Sequence, residues 1–217
     1  MPERIMVFVP MYNCERQIGR VLKQFDIPTR QWFEEIVVVD NRSADRSVAA
    51  ATAELRALHG LRRTLLQNEE NYGLGGSHKV AFNYALDHGF DYCVVLHGDD
   101  QGNIQELLPL LRAGLHRRHD CLLGARFMLG SRLEGYSAFR TFGNYVYNGL
   151  FSLVCRRMLY DLGSGLNLYR TSYLADRHYR RFGNDLTFNY YAILAAVARQ
   201  SVCQQRSGRS SRRENQT

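Results

Sequence analysis

The chain has almost no lysine: Lys23 and Lys79 are the only two among 28 basic side chains. Cysteine is also scarce. Cys14, Cys93, Cys121, Cys155 and Cys203 are odd in number and form no CxxC pair, which argues against a zinc framework or a disulfide scaffold and fits reduced thiols in the cytoplasm. Four prolines, no low-complexity tract and no internal repeat exclude collagenous and solenoid classes. No apolar run approaches the ~18 residues of a membrane span. The longest candidate, Tyr145 to Leu153, is broken by Asn148, Gly149 and Ser152. Met1-Pro2-Glu3-Arg4 leads directly into a strand-like run without signal-peptide architecture. Attachment to a membrane would then be peripheral or through another chain.

What is present is a globular composition. A hydrophobic fraction of 45% over 217 residues supports the core of one domain with at most an appendage. The net charge of +7 is concentrated at the end, where residues 199–217 hold Arg199, Arg206, Arg209, Arg212 and Arg213 against Glu214 alone. A basic excess in a polar tail is weak support for nucleic-acid binding, and no zinc-finger, RNA-motif or helix-turn-helix signature adds to it.

Strands and helices alternate along the first half. Arg4–Pro10, Glu35–Asp40, Arg63–Leu66, residues 91–97 and Cys121–Gly124 read as strands. Between them, Cys14–Phe25, a helix capped by Ser43, Ser77–Leu86 and Asn103–Leu115 read as helices. This order predicts an α/β fold, a mostly parallel central sheet with helices on both faces. After Arg126 the alternation fails. A glycine-containing loop (127–137) precedes an aromatic-rich helical stretch, Ala138 to Leu159, then a short strand at Leu166–Tyr169 and an apolar helix at Leu186–Val197. Residues 199–217, polar and without period, are expected to be a disordered basic tail.

Four polar motifs follow strands: Pro10-Met11-Tyr12-Asn13, Asp40-Asn41-Arg42-Ser43, Asn71-Tyr72-Gly73-Leu74-Gly75-Gly76-Ser77-His78-Lys79, and His97-Gly98-Asp99-Asp100-Gln101. In a parallel sheet they converge on the carboxyl edge, where ligands bind. Carboxylates there suit a hard divalent cation and, through it, a diphosphate. The glycine loop resembles a dinucleotide fingerprint but does not follow the first strand, which speaks against a nicotinamide or flavin enzyme. A P-loop is absent.

Together these residues resemble the family 2 glycosyltransferases, whose nucleotide-sugar-binding fold is called GT-A. Val9-Pro10-Met11-Tyr12-Asn13-Cys14-Glu15 is similar to the family's opening motif, Val38-Val39-Asp40-Asn41-Arg42-Ser43-Ala44-Asp45 to its Val-Asp-Asp-Gly-Ser-x-Asp, and Asn71 to Gly76 to its Asn-x-Gly-x-Gly. The resemblance runs from about residue 4 to 198. Gly124-Ala125-Arg126 and Arg140…Asn144…Asn148…Asp161-Leu162-Gly163-Ser164-Gly165 resemble the branch that uses polyprenyl- or dolichyl-phosphate acceptors.

The resemblance implies a domain of residues 1–198, with a nucleotide-sugar-binding half (1–126) and an acceptor half (127–198). It implies an inverting hexosyltransferase acting from a UDP- or GDP-sugar onto a polyprenyl phosphate, with Mg²⁺ or Mn²⁺, peripheral on the cytoplasmic membrane face. Pro10, Tyr12, Glu15, Asp40, Lys79, Asp99 and Gln101 would form the nucleotide site. Aligning the family's Asp-x-Asp motif on Gln101 puts His97 at the first aspartate and Asp99 at the second, so Asp99 is the expected metal ligand with His97 or Asp100 as helper. A neutral imidazole suits Mn²⁺ better than Mg²⁺. Arg126, ranked above Arg140, would clamp the acceptor phosphate. If a base is used, Asp161 is the first candidate and Asp185 the second. Alternatives are transfer to a saccharide, a shortened non-catalytic nucleotide-binding domain and, more remotely, a nucleotidyltransferase. The stretch after Val197 resembles no part of the family, whose members usually continue with a further strand; a shortened C-terminus could impair activity.

Overall fold

The computed structural model describes residues 2–125, 152–153, 161, 164–199 and 202–206. Seven strands form one sheet: β1 (Ile5–Met11), β2 (Glu35–Asp40), β3 (Arg62–Gln67), β4 (Tyr92–Leu96), β5 (Cys121–Ala125), β6 (Leu166–Arg170) and β7 (Val202–Arg206), in the order β3-β2-β1-β4-β6-β5-β7. β1 pairs in parallel with β2 and β4, and β2 with β3. β6 is antiparallel to both β4 and β5, so a strand from late in the sequence separates two that are sequential. The expected α/β sheet is therefore observed, with one reversed strand inside it.

Strand residues alternate between two apolar layers, as a sheet covered on both faces requires. Val7, Val9, Ile36, Val38, Val94 and Leu96 face one layer with Ile18, Leu22 and Leu55. Met6, Phe8, Val37, Val39, Cys93 and Val95 face the other with Phe82, Phe188 and Ile193. The first layer is covered by α1 (Glu15–Leu22) and α3 (Ser47–Ala57), with a single-turn α2 (Ile27–Arg30) leading from α1 into β2. The second is covered by α4 (Gly73–Asp87), with α6 (Thr171–Leu174) and α7 (Phe188–Ala198).

Several expectations are corrected. The helix expected over Asn103–Leu115 is split into a 3-10 turn at Ile104–Glu106, α5 (Leu108–Arg112) and a second 3-10 turn at Leu115–Arg117; Pro109 starts α5, and Gly114, at φ 66°, ends it. Ser43 does not cap α3, which begins at Ser47. Ser43 Oγ instead accepts from the Asn13 amide, tying together two strand-end loops. The tail is not uniformly unstructured, since Val202–Arg206 pairs in parallel with β5. A strand can form on backbone donors and acceptors offered by a sheet edge, a partner that hydropathy along the chain does not reveal. The expected loop at 127–137 and, apart from helical Ser152 and Leu153, the aromatic stretch 138–159 lie outside the described residues.

Candidate active site

The chain lays β1, β2 and β3 side by side and then crosses to β4 on the other side of β1. That reversal opens a crevice at the carboxyl ends of β1 and β4, the usual ligand site of such sheets. A cleft of ≈ 430 Å³ lies there, lined by residues that include Pro10 and Tyr12 after β1, Asn41 after β2, His97 and Asp99 after β4, and Asp185. The predicted convergence of strand ends is thus real.

Register makes it so. Met11 is level with Asp40, and Asp40 with Gln67, so the three loops leave the sheet together. An asparagine network joins them. Asn41 Nδ2 donates to Asn71 Oδ1 at 2.7 Å, while Asn41 Oδ1 accepts from Asn68 Nδ2 and the Tyr72 amide, each at 2.9 Å. Asn71 Oδ1 also accepts from the Gly73 amide. Asn41, Asn71 and Ser77 line the cleft, and residue-by-residue reading gave them no role. Asn41 and Asn71 stand in motifs that resemble the family's, and Ser77 follows the glycines of the second.

The glycine loop proves to be the first turns of α4. Gly73 has φ 71°, and a Cβ there would lie 2.3 Å from the Asn184 carbonyl oxygen. At Gly75 a Cβ would lie 2.4 Å from the oxygen of Gly183, and the Gly75 amide donates to Asn184 O at 2.7 Å. The glycines therefore admit the 183–185 backbone, and this packing brings Asp185 and Leu186 to the cleft. Asp185 Oδ1 accepts from the Thr187 amide at 2.8 Å and from its hydroxyl. These bonds lower the carboxyl pKa, so the group is ionised near neutral pH.

Other expected site residues are placed elsewhere. Lys79 does not line the cleft; its ammonium donates to Phe182 O at 2.6 Å and Asn184 Oδ1 at 2.7 Å, latching the same loop. Glu15 pairs with Arg46 at 2.8 Å. Asp40 is buried and accepts from the Ser43 amide and from Gln67 Nε2. Asp161 is buried and does not line the cleft. Gln101 donates its amide to Asp99 Oδ1 at 3.1 Å. Asp100, at φ 64°, sends its carboxylate away from the cleft to Arg20 Nε at 2.6 Å. Asp99 therefore lines the cleft while the carboxylate of its neighbour Asp100 faces α1. Arg126 and Arg140 lie outside the described residues.

Beneath His97 lies His78, its ring centroid 5.9 Å away. Burial, aided by the nearby His97, pushes the His78 pKa down to about 3. The neutral ring donates Nδ1–H to Leu74 O at 2.8 Å. Among the described residues no three His, Cys, Asp or Glu side chains cluster as a metal site. His97 and Asp99 both line the cleft, and one imidazole with one carboxylate, completed by diphosphate oxygens, is a donor set that suits Mg²⁺ or Mn²⁺.

The sheet, with helices on both faces and one reversed strand, defines an α/β protein of the GT-A type. Residues 6–177 match the family described as glycosyl transferase family 2, and the chain belongs to that family. It is 26% identical over 137 residues to a dolichol-phosphate mannosyltransferase of Pyrococcus furiosus, covering 63% of this chain and 37% of that protein. It is 28% identical over 172 residues to an undecaprenyl-phosphate 4-deoxy-4-formamido-L-arabinose transferase of Edwardsiella ictaluri, covering 77% and 49%. The chain spans 65% or less of the length of the curated relatives it matches. The fold is that of glucosyl-3-phosphoglycerate synthase of Mycobacterium tuberculosis, solved with Mn²⁺, UDP-glucose and glycerol 3-phosphate, at TM-score 0.67, 16% identity, and coverage of 97% of this chain and 73% of that one.

Proposed function

We propose that this chain is a glycosyltransferase that moves a sugar from a UDP- or GDP-sugar to a polyprenyl phosphate. The observation that carries the reading is the cleft at the β1/β4 crossover, where Asp99 and His97 stand with Asp185. The donor diphosphate would lie against Asp99 and His97. A divalent cation held by those two would neutralise diphosphate charge as the leaving group departs. Asn41 and Asn71, fixed by the network around them, would offer amide groups to the nucleoside. Two relatives named for lipid-phosphate substrates support the acceptor class. A phosphate acceptor is already nucleophilic, and Arg126, as first candidate, or Arg140, as second, would hold it by bidentate contacts.

A second reading is favoured by Asp185. An ionised carboxylate in the cleft suits removal of a proton from a hydroxyl acceptor, so a saccharide or other hydroxyl would be glycosylated instead. Transfer from radiolabelled UDP- and GDP-sugars to polyprenyl phosphate, in wild type, Arg126→Ala and Asp185→Asn, separates the two. Loss with Arg126→Ala and persistence with Asp185→Asn is expected. Intact transfer in Arg126→Ala would sink the lipid-phosphate reading, and loss in Asp185→Asn with hydroxyl acceptors would select the second.

A further inference from the structure

Asp100 is buried, yet its backbone sits at φ 64°. A non-glycine residue in that region carries strain that persists only where its surroundings enforce it. The surroundings are specific. On the strand side, the His97 amide donates to Gly165 O at 2.9 Å and the Gly98 amide to Pro10 O at 3.1 Å. A Cβ at residue 98 would lie 2.8 Å from that same Pro10 oxygen, so only glycine lets the turn lie this close to β1. On the other side stands α1. Arg20 Nε donates to Asp100 Oδ2 at 2.6 Å, with the Asp100 side chain 3% exposed and that of Arg20 54% exposed. One turn further, Gln24 Nε2 donates to Gly102 O at 3.1 Å and Gln24 Oε1 accepts from the Ile104 amide at 2.9 Å. The 97–104 segment is thus gripped by Pro10 and Gly165 on one side and by Arg20 of α1 and Gln24 just beyond it on the other, and Asp99 is the exposed residue between the two grips.

We infer that Arg20 is a positioning residue: through Asp100 it holds this turn in the left-handed conformation that turns Asp99 into the cleft. Asp100 is then an anchor and not a ligand. The inference concerns the conformation of the turn, and it bears on catalysis through the proposed reading of the cleft as a diphosphate site.

Glycine adopts positive φ without a side-chain penalty. If Arg20 serves to hold residue 100 there, glycine at 100 makes Arg20 dispensable. The test compares wild type, Arg20→Ala, Asp100→Gly and the double variant by amide hydrogen exchange of residues 97–101 and by calorimetry with UDP and GDP in Mn²⁺. In Arg20→Ala, exchange in this turn is expected to rise by about tenfold or more with other strand ends unchanged, and metal-dependent nucleotide affinity to fall by about tenfold. In the double variant both are expected to return toward wild type. Unchanged exchange in Arg20→Ala, or failure of Asp100→Gly to restore protection, overturns the inference. Loss of nucleotide affinity in Asp100→Gly with the turn still protected also overturns it, because the carboxylate would then be a ligand itself. Restored protection with no nucleotide bound by any protein, wild type included, supports the clamp and defeats the proposed function instead.

Discussion

The amide of Gly75 and the carbonyl of Asn184 meet at 2.7 Å, joining the start of α4 to a loop more than a hundred residues later. A Cβ on residue 75 would also lie 2.8 Å from Phe188 Cβ and 2.9 Å from Asn184 Cα. Gly75→Ala should therefore cost about 1–3 kcal/mol, as overpacking of a tight contact does, and should displace Asp185 from the cleft. Thermal denaturation and nucleotide titration check it. A variant of wild-type stability would show that the loop gives way without cost.

Lys79 latches the same loop through Phe182 O and Asn184 Oδ1. Lys79→Ala should lower stability by about 1.5–3 kcal/mol, the range for hydrogen bonds to a charged group, and raise protease sensitivity around residues 182–186. Direct contact with nucleotide predicts the opposite pattern: weaker binding at unchanged stability. Denaturation and calorimetry on the one variant distinguish the two roles.

Asp99 carries the metal-dependent part of the proposed site. Asp99→Asn should lose most of the gain in UDP or GDP affinity that Mn²⁺ gives to wild type, while binding in EDTA stays the same in both proteins. Equal Mn²⁺ enhancement in the two would remove Asp99 from the site.

Glu3 provides a pH dependence remote from the cleft. Its hydrogen bond from Arg117, helped by His116, pulls its pKa down from 4.5 to about 2. The folded carboxyl is the stronger acid, so its contribution is present above pH 4.5 and disappears as pH falls from 4.5 toward 2. Arg117 is largely exposed, so the effect should be no more than about 1 kcal/mol. Glu3→Gln should flatten the melting temperature against pH in that window and leave nucleotide binding alone. Parallel curves for the two proteins would refute the linkage.

Much of this architecture was legible in the residues. β1, β2 and β4 are short runs rich in β-branched residues and buried on both faces, the pattern of strands inside a covered parallel sheet. Their polar ends mark the carboxyl edge, so Pro10, Tyr12, His97 and Asp99 could be nominated and do line one cleft; Asp185, nominated as a candidate base through the family resemblance, lines it too. The nucleotide role expected of Lys79 and the helper role expected of Asp100 were less legible. A lysine on a glycine-rich helix start looks the same whether its ammonium meets a phosphate or a carbonyl. The parting of Asp99 and Asp100 goes with an Arg20 contact from 80 positions away along the chain.

The sequence by itself determined the elements, their two-faced burial and the polar strand ends, because these follow from periodicities read over a few neighbouring residues. Tertiary structure decided the rest: the reversed β6 between β4 and β5, the edge strand β7 beyond the last helix, and the partners of Asp100 and Lys79. Those partners lie 80 and 105 positions away along the chain. A hydrogen bond or ion pair needs its groups within about 3 Å, and that proximity is set by how the sheet is ordered.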